Sequence, residues 1–246
     1  MRLIYHTGRY FELIVNSFRR PEKFSVYWRQ IVFEVDKIGV QSIGIVSLLS
    51  LFMGAVICIQ TGANIDSGWI PTYTIGFTVR QTLILEFCPT IIPVIMAGKV
   101  GSNIASEIGT MRITEQIDAL DIMGVNSAGY LILPKIVAAI FIFPFLVAIS
   151  MFLGVGAGAV IGDLAGVVSY SDFEIGIQYD FRFFQVIYAM LKTVVFAFII
   201  TSVSSYHGYY TSGGALEVGK SSTQAVVYSI VLIMVMNLVI TQLLLI

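Results

Sequence analysis

Charged residues are scarce in this sequence. Of its 246 residues, 12% are Asp, Glu, Lys or Arg and 57% are hydrophobic, and the mean hydropathy is +0.88. A soluble domain carries about 25% charged residues, so this composition excludes an ordinary soluble protein. The net charge of −1 gives no basis for binding nucleic acid. The sequence therefore predicts an integral membrane protein.

Groups that support catalysis or metal binding are also few. The two cysteines, Cys58 and Cys88, lie inside apolar runs and are expected to be free thiols, and the only histidines are His6 and His207. The sequence has no HExxH motif, no carboxylates at metal-ligand spacing and no nucleotide-binding GxxxxGK[ST] loop. We therefore expect no catalytic residue, metal site or cofactor in this chain.

Residues 1–37 place apolar side chains at helical spacing among basic ones. Phe11, Val15 and Phe18 recur on one side before Pro21, and arginines fill the gaps. The segment has no small-residue cleavage site, so it is not a cleavable signal peptide. It predicts a basic amphipathic helix, broken near Pro21, that lies along the cytoplasmic membrane surface. The alternative is a helix that binds a soluble partner.

Five long apolar stretches follow, each with about the 20 residues that a helix needs to cross a bilayer. The first and third contain no charge, whereas the second contains Glu86, Pro89 and Pro93, so we expect it to be kinked. The fourth contains Lys192. We predict an all-α fold whose transmembrane domain covers residues 38–246. The predicted spans are residues 38–62, 79–98, 136–162, 183–206 and 223–246.

The connections between the spans orient the chain. Residues 66–73 and 163–182 are predicted outer segments, the second with a short surface helix, and residues 207–222 are a predicted Gly/Ser-rich inner loop. With a cytoplasmic N-terminus and the C-terminus on the far side, nearly all of the fourteen Lys and Arg residues are cytoplasmic. The exceptions are Arg80, Arg182 and Lys192.

The longest polar interruption, residues 97–126, lies between the second and third spans. Thr114 as an N-cap and Gly124 as a left-handed stop predict a short helix over residues 114–123. Its apolar side chains share one side: Ile117, Leu120 and Met123. Its carboxylates point toward another: Glu115, Asp118 and Asp121. This layout is typical of a helix that rests on one surface and presents acids to a partner; the alternative is a solvated surface helix.

Small residues mark two places where helices are expected to approach closely. Gly98 and Gly101 lie where the second helix should leave the membrane, and the third span carries Gly154, Gly156 and Gly158. We predict that these glycines pack helices together, within the chain or between two copies. Glycine tolerated in a lipid-facing helix is the alternative.

Two charges lie inside predicted spans. At 1.5 Å per residue, Glu86 is ~20 Å from Lys99 and Lys192 is ~22 Å from His207, so the two sit at similar depth. A charge at such a depth costs about 2.5 to 3.5 kcal/mol and usually faces a partner or a water-filled cavity. The two residues predict either an ion pair that joins two helices or a polar cavity in which Lys192 meets a lipid phosphate.

The polar interruption carries a family resemblance. Its sequence AGKVGSNIASEIGTMRITEQIDALDIMGVNSAGYLILPKIVA resembles the signature AGRxGxxxxAEIGTMxxTEQIDALxxMGxxPxxxLxxPR of the MlaE/YrbE family of ABC-transporter permeases. The match is dense over about forty residues and looser from Gly39 onward. A match of that length is specific to the family.

The resemblance implies partners and site residues. It implies a homodimeric, multi-pass inner-membrane permease with a periplasmic C-terminus that moves phospholipid between membranes. A cytoplasmic ABC ATPase would bind the ATP, and a periplasmic MCE-domain protein would bind lipid. Implied substrate-pathway residues are Glu86, Lys192 and Gln60. Implied ATPase-coupling residues are Glu107, Arg112, Glu115, Asp118 and Asp121.

The chain departs from the family pattern at two places. The family commonly has Arg-Glu-Leu-Gly-Pro where this chain has Leu85-Glu86-Phe87-Cys88-Pro89, so the polar contact that the arginine would make is in doubt. The pair Asn126-Ser127 lacks the proline often found there, which should affect only the turn. Gln60 matches a family glutamine, although an interfacial polar residue is an equal alternative.

Two rival functions follow from the same residues. An intramembrane enzyme acting on lipid has little support, because catalytic and metal-binding groups are so few. An ion-coupled secondary carrier or channel would use Glu86 and Lys192 as coupling sites. Transport driven by a proton gradient without any ATPase would favour the carrier.

Overall fold

The computed structural model describes residues 2–19, 24–65 and 70–245, and every regular element in these ranges is helical. The α-helices are α1 (Arg2–Phe18), α2 (Phe24–Val35), α3 (Gln41–Asn64), α4 (Tyr73–Thr82), α5 (Ile92–Met96), α6 (Ser102–Ile113), α7 (Gln116–Ile122), α8 (Ser127–Leu164), α9 (Tyr170–Gln178), α10 (Phe183–Tyr209) and α11 (Ala215–Leu245). The π-helical segments are Asp36–Val40, Leu83–Ile91 and Ala97–Gly101. The expected break near Pro21 and residues 66–69 of the expected outer loop lie outside the described residues.

Five continuous helices are long and apolar enough to cross a membrane. They are Tyr27–Asn64, Tyr73–Ile113, Ser127–Leu164, Phe183–Tyr209 and Ala215–Leu244. The sequence-based prediction of an all-α membrane protein with five spans is therefore confirmed. The short helix expected in the second outer segment is also present, as α9.

The helices around the polar interruption extend beyond the predicted span ends. The second continues through the π segment Ala97–Gly101 and α6 to Ile113, and α8 begins at Ser127, with Pro134 and Lys135 inside it. The helices thus run past Gly98 and begin before Pro134, and the positions at which they leave the membrane remain predictions. A membrane-spanning helix tolerates proline because neighbouring groups satisfy the freed backbone acceptors.

The predicted inner loop over residues 207–222 is mostly helical as well. Only residues 210–214 separate α10 from α11. The hydroxyls of Thr211, Ser222 and Thr223 donate to carbonyls four residues earlier. Ser and Thr hydroxyls that bond back in this way find their partners within a helix, so the Gly/Ser-rich sequence did not mark a loop over most of these residues.

The N-terminal segment does not behave as one surface helix. α2 runs on through the π segment Asp36–Val40 into α3, so Tyr27–Asn64 is a single helix. α1 buries Leu13, which is 2% exposed, and leaves apolar side chains on another side exposed, with Ile4 and Phe11 at 77% and 62%. That α1 lies in the membrane interface remains a prediction.

The described chain forms two compact units. The first contains the chain up to Val40, the part from Pro93 to Phe143 and the part from Val194 onward. Its largest helix contact joins α6 and α11. The second unit contains residues 41–92 and 144–193, where α4 packs against α9 and α3.

Glycines allow close helix contact inside the second unit. A Cβ on Gly54 of α3 would collide with the carbonyl oxygen of Gly154 in α8, and one on Gly158 would lie 3.3 Å from the oxygen of Gly54. A Cβ on Gly156 would meet nothing within 4 Å. Gly154 and Gly158 therefore pack within the chain, and a role for Gly156 between two copies remains a prediction. The sequence analysis did not identify Gly54.

Replacing Gly54 with alanine is expected to destabilise the second unit. The added methyl would collide with backbone, which cannot turn aside as a side chain can, so α3 and α8 must separate; overpacking of this kind costs about 1 to 3 kcal/mol or more. Thermal unfolding of the purified protein in detergent measures the loss. Gly44→Ala on the same helix is the control, because its Cβ would meet nothing within 4 Å. Equal melting temperatures of the two variants would contradict the prediction.

Candidate functional site

Two ionisable side chains meet inside the second unit. Lys192 of α10 places its Nζ 3.1 and 3.2 Å from the two carboxylate oxygens of Glu86, which lies in the π segment Leu83–Ile91. The same ammonium donates to the carbonyl oxygen of Leu85 at 3.3 Å and lies 5.0 Å from the centre of the Tyr188 ring. Two charges that the sequence placed at similar depth thus form one ion pair.

The local chain explains how Glu86 is presented. Pro89 lies inside the π segment and has no N–H to give to the helical ladder, which favours the wider turn. The Thr90 hydroxyl donates to the Glu86 carboxylate at 3.3 Å. In this segment Leu85 contacts Lys192 through its backbone carbonyl.

The two partners differ in exposure. The Lys192 side chain is completely buried, whereas 44% of the Glu86 side chain is exposed. A buried ammonium needs a nearby anion because burial of an unpaired charge is very costly. The exposed side of the pair offers an accessible polar surface within a membrane-spanning helix. Gln60 is exposed on α3 and hydrogen-bonds to neither residue among those described.

A second set of charges joins three helices of the first unit. The buried ammonium of Lys135 in α8 lies 2.5 Å from a Glu34 oxygen and 2.9 Å from a Glu107 oxygen, and Lys37 donates to Glu107 at 2.7 Å. The negative charges of the two glutamates are balanced by the positive charges of the two lysines. We refer to these four residues as the charge network.

Sequence reasoning did not find the charge network as a unit. It assigned Glu107 to ATPase coupling and treated Lys37 and Lys135 only as cytoplasmic basic residues. In the structure the Glu107 carboxylate is shared by two lysines of its own chain. The available signal was the position of Lys135, eight residues after the start of α8 and far from Asp163, the other charged residue of this helix.

The segment predicted to couple to an ATPase forms a short helix, α7, and a turn. Arg112 at the end of α6 donates to Asp118 of α7 at 2.7 Å, and its guanidinium carbon lies 5.8 Å from the centre of the Tyr209 ring. The first contact holds α7 against α6, and the second links α6 to α10. Gly124, with φ of +80°, ends the helix in the left-handed conformation as expected.

The predicted start of this helix was wrong. Glu115, with φ of 60°, occupies the N-cap position, and its side chain makes no capping hydrogen bond. Thr114 instead donates its hydroxyl back to the carbonyl of Thr110, which ends α6. Thr is often an N-cap, but here the Thr114 hydroxyl bonds to the preceding helix and is not available to cap α7.

The exposed apolar surface of α7 also differs from the expectation. Ile117 is fully buried, but Ile122 is 87% exposed and Met123 is 69% exposed, so Met123 does not share the buried side. Asp121 lies beside them and lines a cavity of about 670 Å³ together with Arg19 and Tyr209. The tip of the segment is thus apolar, with acids around it.

Two further contacts place the remaining predicted residues. Asn126 donates its amide to the carbonyls of Asn16 and Arg19 at 2.8 and 2.6 Å, which ties the turn after α7 to the end of α1. A Cβ on Gly101 would lie 2.9 Å from the Ser204 hydroxyl, so this glycine packs against α10, whereas one on Gly98 would meet nothing within 4 Å.

Comparison with known proteins supplies the context for these sites. The family model described as Permease MlaE matches residues 31–243. A probable ABC transporter permease protein of Rickettsia bellii is 37% identical over 230 residues, which are 94% of this chain and 87% of that protein. Protein TRIGALACTOSYLDIACYLGLYCEROL 1, chloroplastic, of Arabidopsis thaliana is 31% identical over 89% of this chain and 63% of its own length. The intermembrane phospholipid transport system permease protein MlaE of Haemophilus influenzae is 26% identical, over 86% and 81% of the two chains.

Proposed function

Because the chain belongs to the MlaE permease family, we propose that it is the membrane subunit of an ABC transporter that moves phospholipid between the inner and outer membranes. The relative in Haemophilus influenzae is described as a permease of intermembrane phospholipid transport. The observation that carries the proposal within this chain is the ion pair of Glu86 with the fully buried Lys192 in membrane-spanning helices.

The pair is suited to a phospholipid headgroup. A lipid phosphate that reaches the exposed side of Glu86 can accept hydrogen bonds from the Lys192 ammonium in place of the carboxylate. The exchange is feasible because phosphate and carboxylate both form strong charge-assisted hydrogen bonds. While no lipid is bound, Glu86 would pair with the Lys192 ammonium and keep it in position. Gln60, exposed on α3, would contact the lipid elsewhere along the pathway.

We propose that a separate cytoplasmic ATPase supplies the energy and docks on α7. The exposed side chains of Ile122 and Met123 would fill an apolar groove of the ATPase, with Glu115 and Asp121 at the rim. Buried apolar anchors carry most of the binding energy at interfaces, whereas exposed rim charges contribute under ~1 kcal/mol each. Arg112 and Asp118 would act indirectly, by fixing α7 on α6.

The remaining assembly is proposed on the same basis. Two copies of the chain would form the transport pathway, and a periplasmic MCE-domain protein would receive or deliver the lipid. The distribution of Lys and Arg supports a cytoplasmic N-terminus and a periplasmic C-terminus, because basic residues favour the cytoplasmic side.

The proposal is tested by transfer of labelled phospholipid from proteoliposomes that contain the assembled transporter. We expect transfer to require ATP and to persist when the proton gradient is collapsed. Transfer that stops with the gradient and continues without ATP would instead support an ion-coupled carrier that uses Glu86 and Lys192.

The double variant Ile122→Asp/Met123→Asp is expected to release the ATPase. Two carboxylates would replace the apolar side chains at the centre of the contact, and the loss should exceed about 2 kcal/mol, or more than about thirtyfold in affinity. Co-purification of the untagged ATPase measures the effect. Leu216→Asp is the matched control, since Leu216 is 74% exposed at the start of α11. Full retention of the ATPase by the double variant would refute the docking of α7.

A further inference from the structure

A cavity of about 260 Å³ lies where α1 meets the turn between α10 and α11. Its lining includes His6, Arg9, Tyr210, Glu217 and Lys220. At about 30 Å³ per water molecule it holds roughly eight or nine waters, which is enough for a phosphate group with its first hydration. None of these residues belongs to the Glu86–Lys192 pair or to α7.

The cavity is rich in positive charge and aromatic rings. The guanidinium carbon of Arg9 lies 3.7 Å from the centre of the Tyr210 ring and 5.4 Å from that of Tyr5. Lys220 has a carboxylate partner, Glu217, at 2.6 Å. Among the described residues no carboxylate forms an ion pair with Arg9. The arginine charge is therefore not compensated by the cavity's own lining.

Contacts between α1 and α10 hold the arginine in place. The Tyr10 hydroxyl and the Ser202 hydroxyl are 2.7 Å apart, and His6 Nδ1 is 2.8 Å from the Tyr206 hydroxyl. Burial raises the pKa of Tyr10, so it remains a neutral hydroxyl. An arginine that is already stacked on a ring loses little further conformational freedom when an anion binds, which favours bidentate binding of phosphate.

The other side of α1 indicates where that anion comes from. Ile4, Phe11, Val15 and Phe18 are all more than half exposed on this helix. An amphipathic helix with such a face lies in the interface of a bilayer at headgroup level. The cavity would then open beside lipid headgroups rather than into bulk solution.

We propose that this cavity binds the phosphate of an anionic phospholipid of the surrounding membrane, through Arg9 and Lys220. The site is separate from the transport pathway, and an occupied site ties α1 to the α10–α11 turn through the bound lipid. Inorganic phosphate shares the chemistry of the group but lacks the acyl chains that α1 would contact.

Native mass spectrometry of the full-length chain tests the proposal. The probes are dioleoylphosphatidylglycerol, which is anionic, and dioleoylphosphatidylcholine, a zwitterionic competitor whose phosphate is balanced by its own ammonium group. The wild type is expected to prefer phosphatidylglycerol, and Arg9→Gln should weaken its binding about tenfold, or ~1.4 kcal/mol. Arg182→Gln is the control for loss of an arginine, because Arg182 is 71% exposed and lies in the second unit. Equal binding by the two variants would overturn the proposal.

Two further variants and a competitor distinguish lipid binding at this cavity from a structural role of α1 and from binding at the transport site. Tyr10→Phe removes a hydrogen bond between α1 and α10 but no charge, so a loss as large as that of Arg9→Gln would show a merely structural role and overturn the site. Lys192→Ala acts on the proposed transport site, so its effect on phosphatidylglycerol binding should add to that of Arg9→Gln. If Lys192→Ala alone removed all preference for phosphatidylglycerol, the lipid would be bound at the transport site instead. Binding of millimolar inorganic phosphate that is lost in Arg9→Gln, with no preference of the wild type for phosphatidylglycerol, would assign the site to free phosphate and refute the lipid.

Discussion

Replacing Glu86 with alanine is expected to destabilise the protein more than replacing Lys192 with alanine, while both changes abolish lipid transfer. Lys192 is completely buried and Glu86 is 44% exposed. Removal of Glu86 leaves a buried ammonium without its carboxylate, a loss that costs about 3 to 5 kcal/mol for a buried pair. Removal of Lys192 leaves a carboxylate that water or a headgroup can still reach.

The measurement combines unfolding in detergent with lipid transfer in proteoliposomes. We expect Lys192→Ala to fold and to lose at least about tenfold in transfer rate, or ~1.4 kcal/mol of barrier. Arg182→Ala is the matched control, since its pair with Asp180 at 3.3 Å is exposed on both sides and should contribute under ~1 kcal/mol.

The reversed pair separates a structural role from a substrate role. In Glu86→Lys/Lys192→Glu the two charges can still attract each other, so part of the stability should return. Transfer should not return, because the buried position would then hold a carboxylate that repels phosphate. Full transfer by a well-folded Lys192→Ala protein would be inconsistent with any contact between Lys192 and the lipid.

Much of this architecture could be predicted from the sequence because the membrane restricts the choices. Charge-free stretches such as residues 136–162 must be helical to satisfy their backbone groups. The similar depth of Glu86 and Lys192 followed from the fixed rise of a helix. Gly124 as a stop followed from its freedom to adopt positive φ.

The remaining features depend on contacts that no local pattern reveals. Gly54 looked like any other small residue, and only the path of α8 brings Gly154 against it. Thr114 satisfied the rule for an N-cap, but its hydroxyl bonds to the preceding turn. Met123 fits the apolar side of an ideal helix, yet α7 ends at Ile122 and leaves Met123 exposed.

The charge network is the clearest case of a contact hidden from the sequence. The four residues come from three distant parts of the chain, one of which holds both Glu34 and Lys37. In the sequence each part looks like a separate segment of the inner surface. Their pairing depends on α2, α6 and α8 meeting at one level of the first unit. Within the charge network, replacing Lys135 and replacing Lys37 should therefore reduce stability by different amounts.

Replacing Lys135 with methionine is expected to be among the most destabilising single changes in the first unit. The Lys135 side chain is 4% exposed and that of Glu34 is 9% exposed, so the change leaves a buried carboxylate without its cation. Loss of one partner from such a pair costs about 3 to 5 kcal/mol. Methionine keeps most of the volume, so a cavity does not account for the loss. The free energy of unfolding in detergent measures it.

Lys37→Met is the matched control for the same network. The Lys37 side chain is 23% exposed, and its partner Glu107 would keep Lys135 at 2.9 Å, so the loss should stay near 1 kcal/mol. Adding Glu34→Gln to Lys135→Met should recover part of the stability, because the double variant no longer buries an unpaired carboxylate. Equal losses for the two lysine variants, or no recovery in the double variant, would mean that the Lys135–Glu34 pair does not hold α8 to α2.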